Sequence, residues 1–235
     1  MATTTAPSRP ATARGTTIFL KLLMAVTGLI FAGFVLAHMY GNLKVLSGEE
    51  AFNTYAEHLR TIGEPMLPYE GLLWVLRIVL ILALVGHAYA AFTLWSRAGN
   101  ARRHRYAAAK TALTSKTMRW GGVFLLLFII WHLLQFTIVK FSVNPDKTGA
   151  SVTANPYELV VASFQVPWLT LVYVLAMLAL ALHLSHGVFS AQQTLGWTGS
   201  AAAYKRAKGI GHATAAVVVV GFLIPPLAIL FGMVK

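Results

Sequence analysis

The chain has 235 residues, of which 57% are hydrophobic and only 11% charged, a balance that fits a multi-pass membrane protein and excludes an ordinary soluble domain. It has no cysteine, which excludes disulfides, a thiolate-held iron–sulfur cluster and covalent c-type haem attachment within this chain. The net charge of +12 would suit a nucleic-acid partner, but the placement of the charges argues against one.

Residues 1–17, rich in Thr, Ala and Pro, predict a flexible polar tail on the cytosolic side. Five apolar stretches follow, near residues 18–45, 71–95, 120–139, 168–191 and 209–234. Each is long enough to cross a hydrocarbon core of about 30 Å, which takes roughly 20 helical residues. The first begins too late and runs too long for a cleavable signal peptide, and no small-residue cleavage site follows it. The expected fold is all-α and polytopic, with one five-helix transmembrane domain over residues 18–235.

Charge gives the orientation. Arg9, Arg14 and Lys21 precede or open the first span. Arg97, Arg102, Arg103, Arg105, Lys110, Lys116 and Arg119 fill the second connection, and Lys205, Arg206 and Lys208 the fourth. Thirteen of the 19 basic residues thus fall on one side with no acid among them. All seven acids, Glu49, Glu50, Glu57, Glu64, Glu70, Asp146 and Glu158, fall in the other connections. The positive-inside rule puts the N-terminus in the cytosol and the C-terminus outside. The basic loops also suit a soluble partner or anionic lipid heads.

Of eight histidines, His58 and His104 lie in polar connections and His212 near the cytosolic end of the last span; these read as solvated or interfacial. His38, His87, His132 and the pair His183 and His186 are embedded, so each of the first four spans carries at least one. An imidazole at such depth needs a partner. At 1.5 Å per helical residue, His38 lies about 9 Å from Lys44 and His132 about 12 Å from Lys140, both towards the outer face. His87 lies about 15 Å from Arg97, and His183 a similar distance from Gln192, both towards the inside.

Two levels of paired imidazoles between four helices are what two bis-histidine b-type haems require. A di-iron site needs several carboxylates, and none lies in these spans. Zinc calls for ligands at one level, whereas these are split. Gly28, Gly33, Gly86, Gly121, Gly122 and Gly187 offer small surfaces that suit either a flat macrocycle or helix–helix contact.

Four stretches, "LAHMYGNLKVLSGEEAFNTYAEHLR", "GHAYAAFTLW", "MRWGGVFLLLFIIWHLLQF" and "LHLSHGVFSAQQTLGW", resemble the cytochrome b membrane anchor of succinate dehydrogenase and fumarate reductase. The resemblance covers nearly the whole chain after the tail and is strongest to the single-polypeptide, five-helix, two-haem class of menaquinone-using bacteria. It implies that His87 and His183 are axial ligands of an inner, proximal haem, and that His38 and His132 are those of an outer, distal haem. Within "LHLSHG" the family ligand falls on His183, which leaves His186 to contact a propionate, a water or a neighbouring helix, or to serve as the alternative ligand.

The resemblance further implies an FAD-bearing flavoprotein subunit that oxidises succinate and an iron–sulfur subunit that relays electrons to this chain. Electrons would then reach menaquinone through the two haems. Neither succinate chemistry nor a nucleotide-binding fingerprint is present in this chain. Quinone in two-haem relatives is associated with the outer side, where Glu57, Glu64 and Glu70 are candidates to exchange its protons, although each also reads as a solvated loop acid. Some relatives carry a transmembrane glutamate two residues before the fourth ligand; here that position is Ala181. Lys21 and Arg119, near the cytosolic face, are candidates for propionate or docking contacts and also suit topology anchors. The resemblance places the chain in the bacterial cytoplasmic membrane. Three other readings stand beside it: a b-type cytochrome subunit of a hydrogenase or formate dehydrogenase, a haem-free proton-coupled transporter, and a haem-free structural anchor, against which the four ligand positions argue.

Overall fold

The computed structural model describes residues 16–101 and 113–235. Most of the expected polar tail and the middle of the basic second connection, with Arg102, Arg103, His104, Arg105 and Lys110, lie outside the described residues. Among the described residues there are eight α-helices and no strand. Five of the helices are long and apolar enough to cross a membrane. They are α1 Thr17–Leu43, α3 Gly71–Ala101, α4 Leu113–Leu133, α7 Pro167–Thr194 and α8 Ala201–Leu230.

The number of spans is the expected one, but some bounds move. α8 starts at Ala201 rather than near residue 209, because Ser200 caps it, its Oγ accepting the Ala203 N–H at 3.1 Å. Lys205, Arg206 and Lys208 keep that end out of hydrocarbon without keeping it out of a helix, since both residue types are good helix formers. α1 starts at Thr17 on a Thr16 cap, whose Oγ1 accepts the Phe19 N–H at 3.1 Å.

Three further helices occupy the polar connections between the spans. α2, Glu49–Thr61, places Glu49 and Glu50 in its first turn and His58 and Arg60 in its last, matching the helix dipole at both ends. α5, Ala150–Ala154, is a single turn or so, and α6, Pro156–Phe164, follows with Asn155 as its cap and Pro156 in its first turn. Asn155 ties these elements together. Its Nδ2 donates to Glu49 Oε1 at 2.6 Å, and its Oδ1 accepts from Asn53 Nδ2 at 3.0 Å. α2 and α6 thereby cover the acidic end of the bundle. The largest buried apolar cluster lies there: Val45, Tyr157, Val161, Phe164, Leu169, Tyr173 and Ile229.

Packing among the spans decides where a cofactor could sit. α8 lies along α7 and α1; α1 also packs on α3 and α7, and α4 on α7. Close approach rests on small residues, as is usual where lipid removes the hydrophobic drive for association. A Cβ on Gly211 would meet the Ser185 carbonyl, and one on Gly221 would run into the Met39 side chain. By contrast, no extended backbone contact joins α1 to α4, or α3 to α7, among the described residues. Ile78, Ile81, Leu82 and Val85 of α3 are exposed, as an apolar surface that faces lipid should be.

Candidate functional site

Side chains bridge those two open separations. From α1 and α4, His38 and His132 meet with ring centroids 5.8 Å apart and planes at 81°. From α3 and α7, His87 and His183 meet at 6.2 Å and 57°. A metal held by two imidazoles at metal–nitrogen distances of about 2 Å puts the ring centroids about 6 Å apart. Both pairs are therefore spaced to hold one iron between them. No group of three or more His, Cys, Asp or Glu side chains placed for a metal forms among the described residues, so each donor set is two nitrogens.

The helices position these rings through specific neighbours. Gly28 of α1 faces His87, with 3.4 Å from an ideal Cβ to the ring's Cε1. Gly122 of α4 faces His183 in the same way, at 3.5 Å. Both glycines thus make room for an imidazole edge rather than for a helix. Gly86 instead faces Leu23 and Thr27 across the α1–α3 contact, while Gly33, Gly121 and Gly187 face no atom within 4 Å among the described residues. At the other pair, Phe34 stacks on His38 at 5.3 Å and Phe128 on His132 at 5.9 Å, which confines the rings to one orientation.

Hydrogen bonds at the ring nitrogens fix which one is free. His87 Nδ1 lies 3.0 Å from Thr27 Oγ1, and Thr27 donates its one proton to the Leu23 carbonyl at 2.6 Å. The Thr27 oxygen therefore accepts, His87 carries its proton on Nδ1, and Nε2 keeps a lone pair for a metal. His132 Nδ1 lies 3.2 Å from the Tyr173 hydroxyl, which donates to Gln135 Oε1 at 3.1 Å. The same reasoning leaves His132 Nε2 free. His183 Nδ1 is buried without a hydrogen-bond partner among the described residues. A buried, orphaned imidazole nitrogen, glycine cradles and paired two-nitrogen donor sets all fit a flat, iron-bearing macrocycle held axially.

The remaining sequence candidates spread over both ends. His186 is half-buried one turn beyond His183, with no hydrogen bond or ring contact of its own among the described residues. His212 pairs with α7 through Ser185 Oγ at 2.7 Å, three turns into the fifth span. At the basic end Lys21 is exposed, and Arg119 lies over the Trp95 ring at 5.5 Å. At the acidic end, Arg60 bridges Glu57 and Glu70 at 3.2 Å each, and Arg77 reaches Glu70 at 3.3 Å. Tyr69 donates to Glu57 at 2.9 Å, and that bond to a carboxylate raises the phenol above its ordinary pKa. Glu64 is exposed. The structure thus joins Glu57 and Glu70 in one ion-pair network and leaves Glu64 outside it.

Thr27, Tyr173 and Gln135 escaped the sequence reading. Gln135 carried a usable signal: a lone amide in an apolar run requires internal partners. It sits in a π turn over Leu134–Ile138, a widening common at functional sites, and is fully buried. A family model described as succinate dehydrogenase/fumarate reductase transmembrane subunit matches residues 94–224 of the chain. No curated protein and no solved structure matches it.

Proposed function

Because the chain belongs to the succinate dehydrogenase/fumarate reductase transmembrane subunit family, we propose that it is the electron-carrying anchor of a succinate:menaquinone oxidoreductase, joining an iron–sulfur subunit to quinone through two b haems. The protein is a multi-pass membrane protein, and its family implies association with the catalytic subunits of that complex. The observation that carries the finer reading is the meeting of His38 with His132 and of His87 with His183, each at the spacing of a two-imidazole iron site.

When bound, haem b supplies an iron centre that accepts and returns one electron at a time. His87 and His183 would hold the inner group and His38 and His132 the outer one, each through a neutral imidazole nitrogen. Thr27 and Tyr173 hold His87 and His132 in the required tautomer. Phe34 and Phe128 keep the outer rings turned and exclude water from them. The basic end, with Lys116, Arg119, Lys205, Arg206 and Lys208, faces the cytosol of a bacterium and receives the iron–sulfur subunit, behind which stands the FAD flavoprotein. Lys21 and Arg119 are placed for propionates or for that docking. Menaquinone approaches the acidic, external end. There Glu64 is exposed and outside the ion-pair network, while Glu57 and Glu70 are restrained by Arg60 and Arg77.

The test is a haem assay and a dithionite-reduced visible spectrum of the purified chain with its partners. Two b haems per chain are expected. A featureless spectrum would favour the transporter reading, and partners other than a flavoprotein and an iron–sulfur protein would favour the hydrogenase or formate dehydrogenase reading.

A further inference from the structure

The two proposed haem sites differ in what stands behind their histidines. Behind His132 runs a buried relay. Trp131 Nε1, which can only donate, lies 2.9 Å from Gln135 Oε1, so the amide is oriented with its oxygen there and its nitrogen towards Ser163 Oγ at 3.1 Å. Tyr173 must then donate to the same oxygen at 3.1 Å, and its own oxygen is left to accept the His132 Nδ1–H at 3.2 Å. The relay links α4, α7 and α6, and Gln135 and Ser163 are both fully buried.

Behind His87 stands the Thr27 hydroxyl, anchored on its own helix by the Leu23 carbonyl, with the Met24 carbonyl also close to the ring. Behind His183 there is no acceptor among the described residues. The glycine that faces His183, Gly122, is preceded by Gly121, where the glycine that faces His87, Gly28, is preceded by Thr27.

We infer that Tyr173 and Thr27 are positioning residues that act through His132 and His87 to set the electron affinities of two separate haem sites independently. This rests on the two-haem reading above. An acceptor on the far nitrogen of a metal-bound imidazole makes the ligand more basic, and a more basic ligand favours the ferric state and lowers the potential. Both acceptors can be removed without changing side-chain shape: Tyr173→Phe and Thr27→Val delete one hydroxyl each and leave no sizeable cavity. Thr27→Ser keeps the hydroxyl and serves as the rescue.

The experiment is a potentiometric titration of the intact complex, followed in the visible haem bands. Tyr173→Phe should raise the midpoint of the outer haem alone, and Thr27→Val that of the inner haem alone. Each shift should be of the order of tenfold in the ferric–ferrous equilibrium, or about 59 mV for one electron. Thr27→Ser should stay at the parental potential. Loss of only the outer haem in Tyr173→Phe, or of only the inner in Thr27→Val, would also support the assignment. Two bound haems whose potentials do not move, or move together in either variant, would overturn this inference and leave the two-haem reading intact. A parental complex without haem would overturn both.

Discussion

Replacing Gln135 by leucine probes how the acidic end of the bundle is held together. The two side chains are similar in volume, so the change leaves little cavity and its cost is polar. Three bonds are lost: Trp131 Nε1 to Oε1 at 2.9 Å, Tyr173 Oη to Oε1 at 3.1 Å and Nε2 to Ser163 Oγ at 3.1 Å. Side-chain hydrogen bonds within membrane proteins average about 0.6 kcal/mol each, so three amount to about 2 kcal/mol.

Full desolvation penalties of about 1–3 kcal/mol per orphaned group would give considerably more. They do not apply to all three partners. A helical serine such as Ser163 can turn to a carbonyl of its own helix, whereas Tyr173 already accepts the His132 Nδ1–H and finds no lone pair there for its own proton. The Trp131 N–H and the Tyr173 O–H both lose their acceptor, so about 2 kcal/mol is the lower bound of the expected loss. Equilibrium unfolding of the purified complex in mild detergent, followed by tryptophan emission, measures it. A Gln135→Leu protein as stable as its parent would refute the relay as a structural element.

At Gly122, alanine should be tolerated, because its Cβ would stand in ordinary contact, 3.5 Å from His183 Cε1. Leucine there adds carbons in the direction of the ring, at an overpacking cost of about 1–3 kcal/mol, and should remove the inner haem signal selectively. A reporter fused after Lys235 should read as external and one inserted near Asn100 as cytosolic; a cytosolic C-terminal reporter would break the assignment of ends. Cross-links through Lys116 should capture the iron–sulfur subunit, and capture solely through Lys147, at the acidic end, would contradict the docking face.

The spans and the histidine pairs were legible for the same reason: a transmembrane helix has a fixed rise, so counting residues from a charged end gives depth. That count grouped His38 with His132 and His87 with His183, and the structure brings the same residues together. What counting does not give is azimuth. Thr27 meets His87 across 60 residues of sequence, and Tyr173 meets His132 across 41, so neither partner could be identified from its neighbours in the chain.

The role of the glycines had the same ambiguity. Gly28 and Gly122 face imidazoles, whereas Gly86 faces Leu23 and Thr27, and only the helix rotation separates these cases. α2 and α6 were obscured because they are short and lie in polar connections, although Gly48, Asn155 and Pro156 carry the local signals that start them. The start of α8 at Ala201 lies ahead of the apolar stretch because charge marks the membrane boundary and not the helix boundary.

We propose that four histidines on four helices form two pairs, each of which would hold one haem. The most direct measurement is a low-temperature visible spectrum and haem count on His38→Ala, His87→Ala, His132→Ala, His183→Ala and His186→Ala complexes. His87→Ala and His183→Ala should disturb the same, inner haem, His38→Ala and His132→Ala should disturb the other, and His186→Ala should keep two six-coordinate low-spin haems. Loss of a haem in His186→Ala with both retained in His183→Ala, or loss patterns that couple His38 to His87, would contradict this pairing.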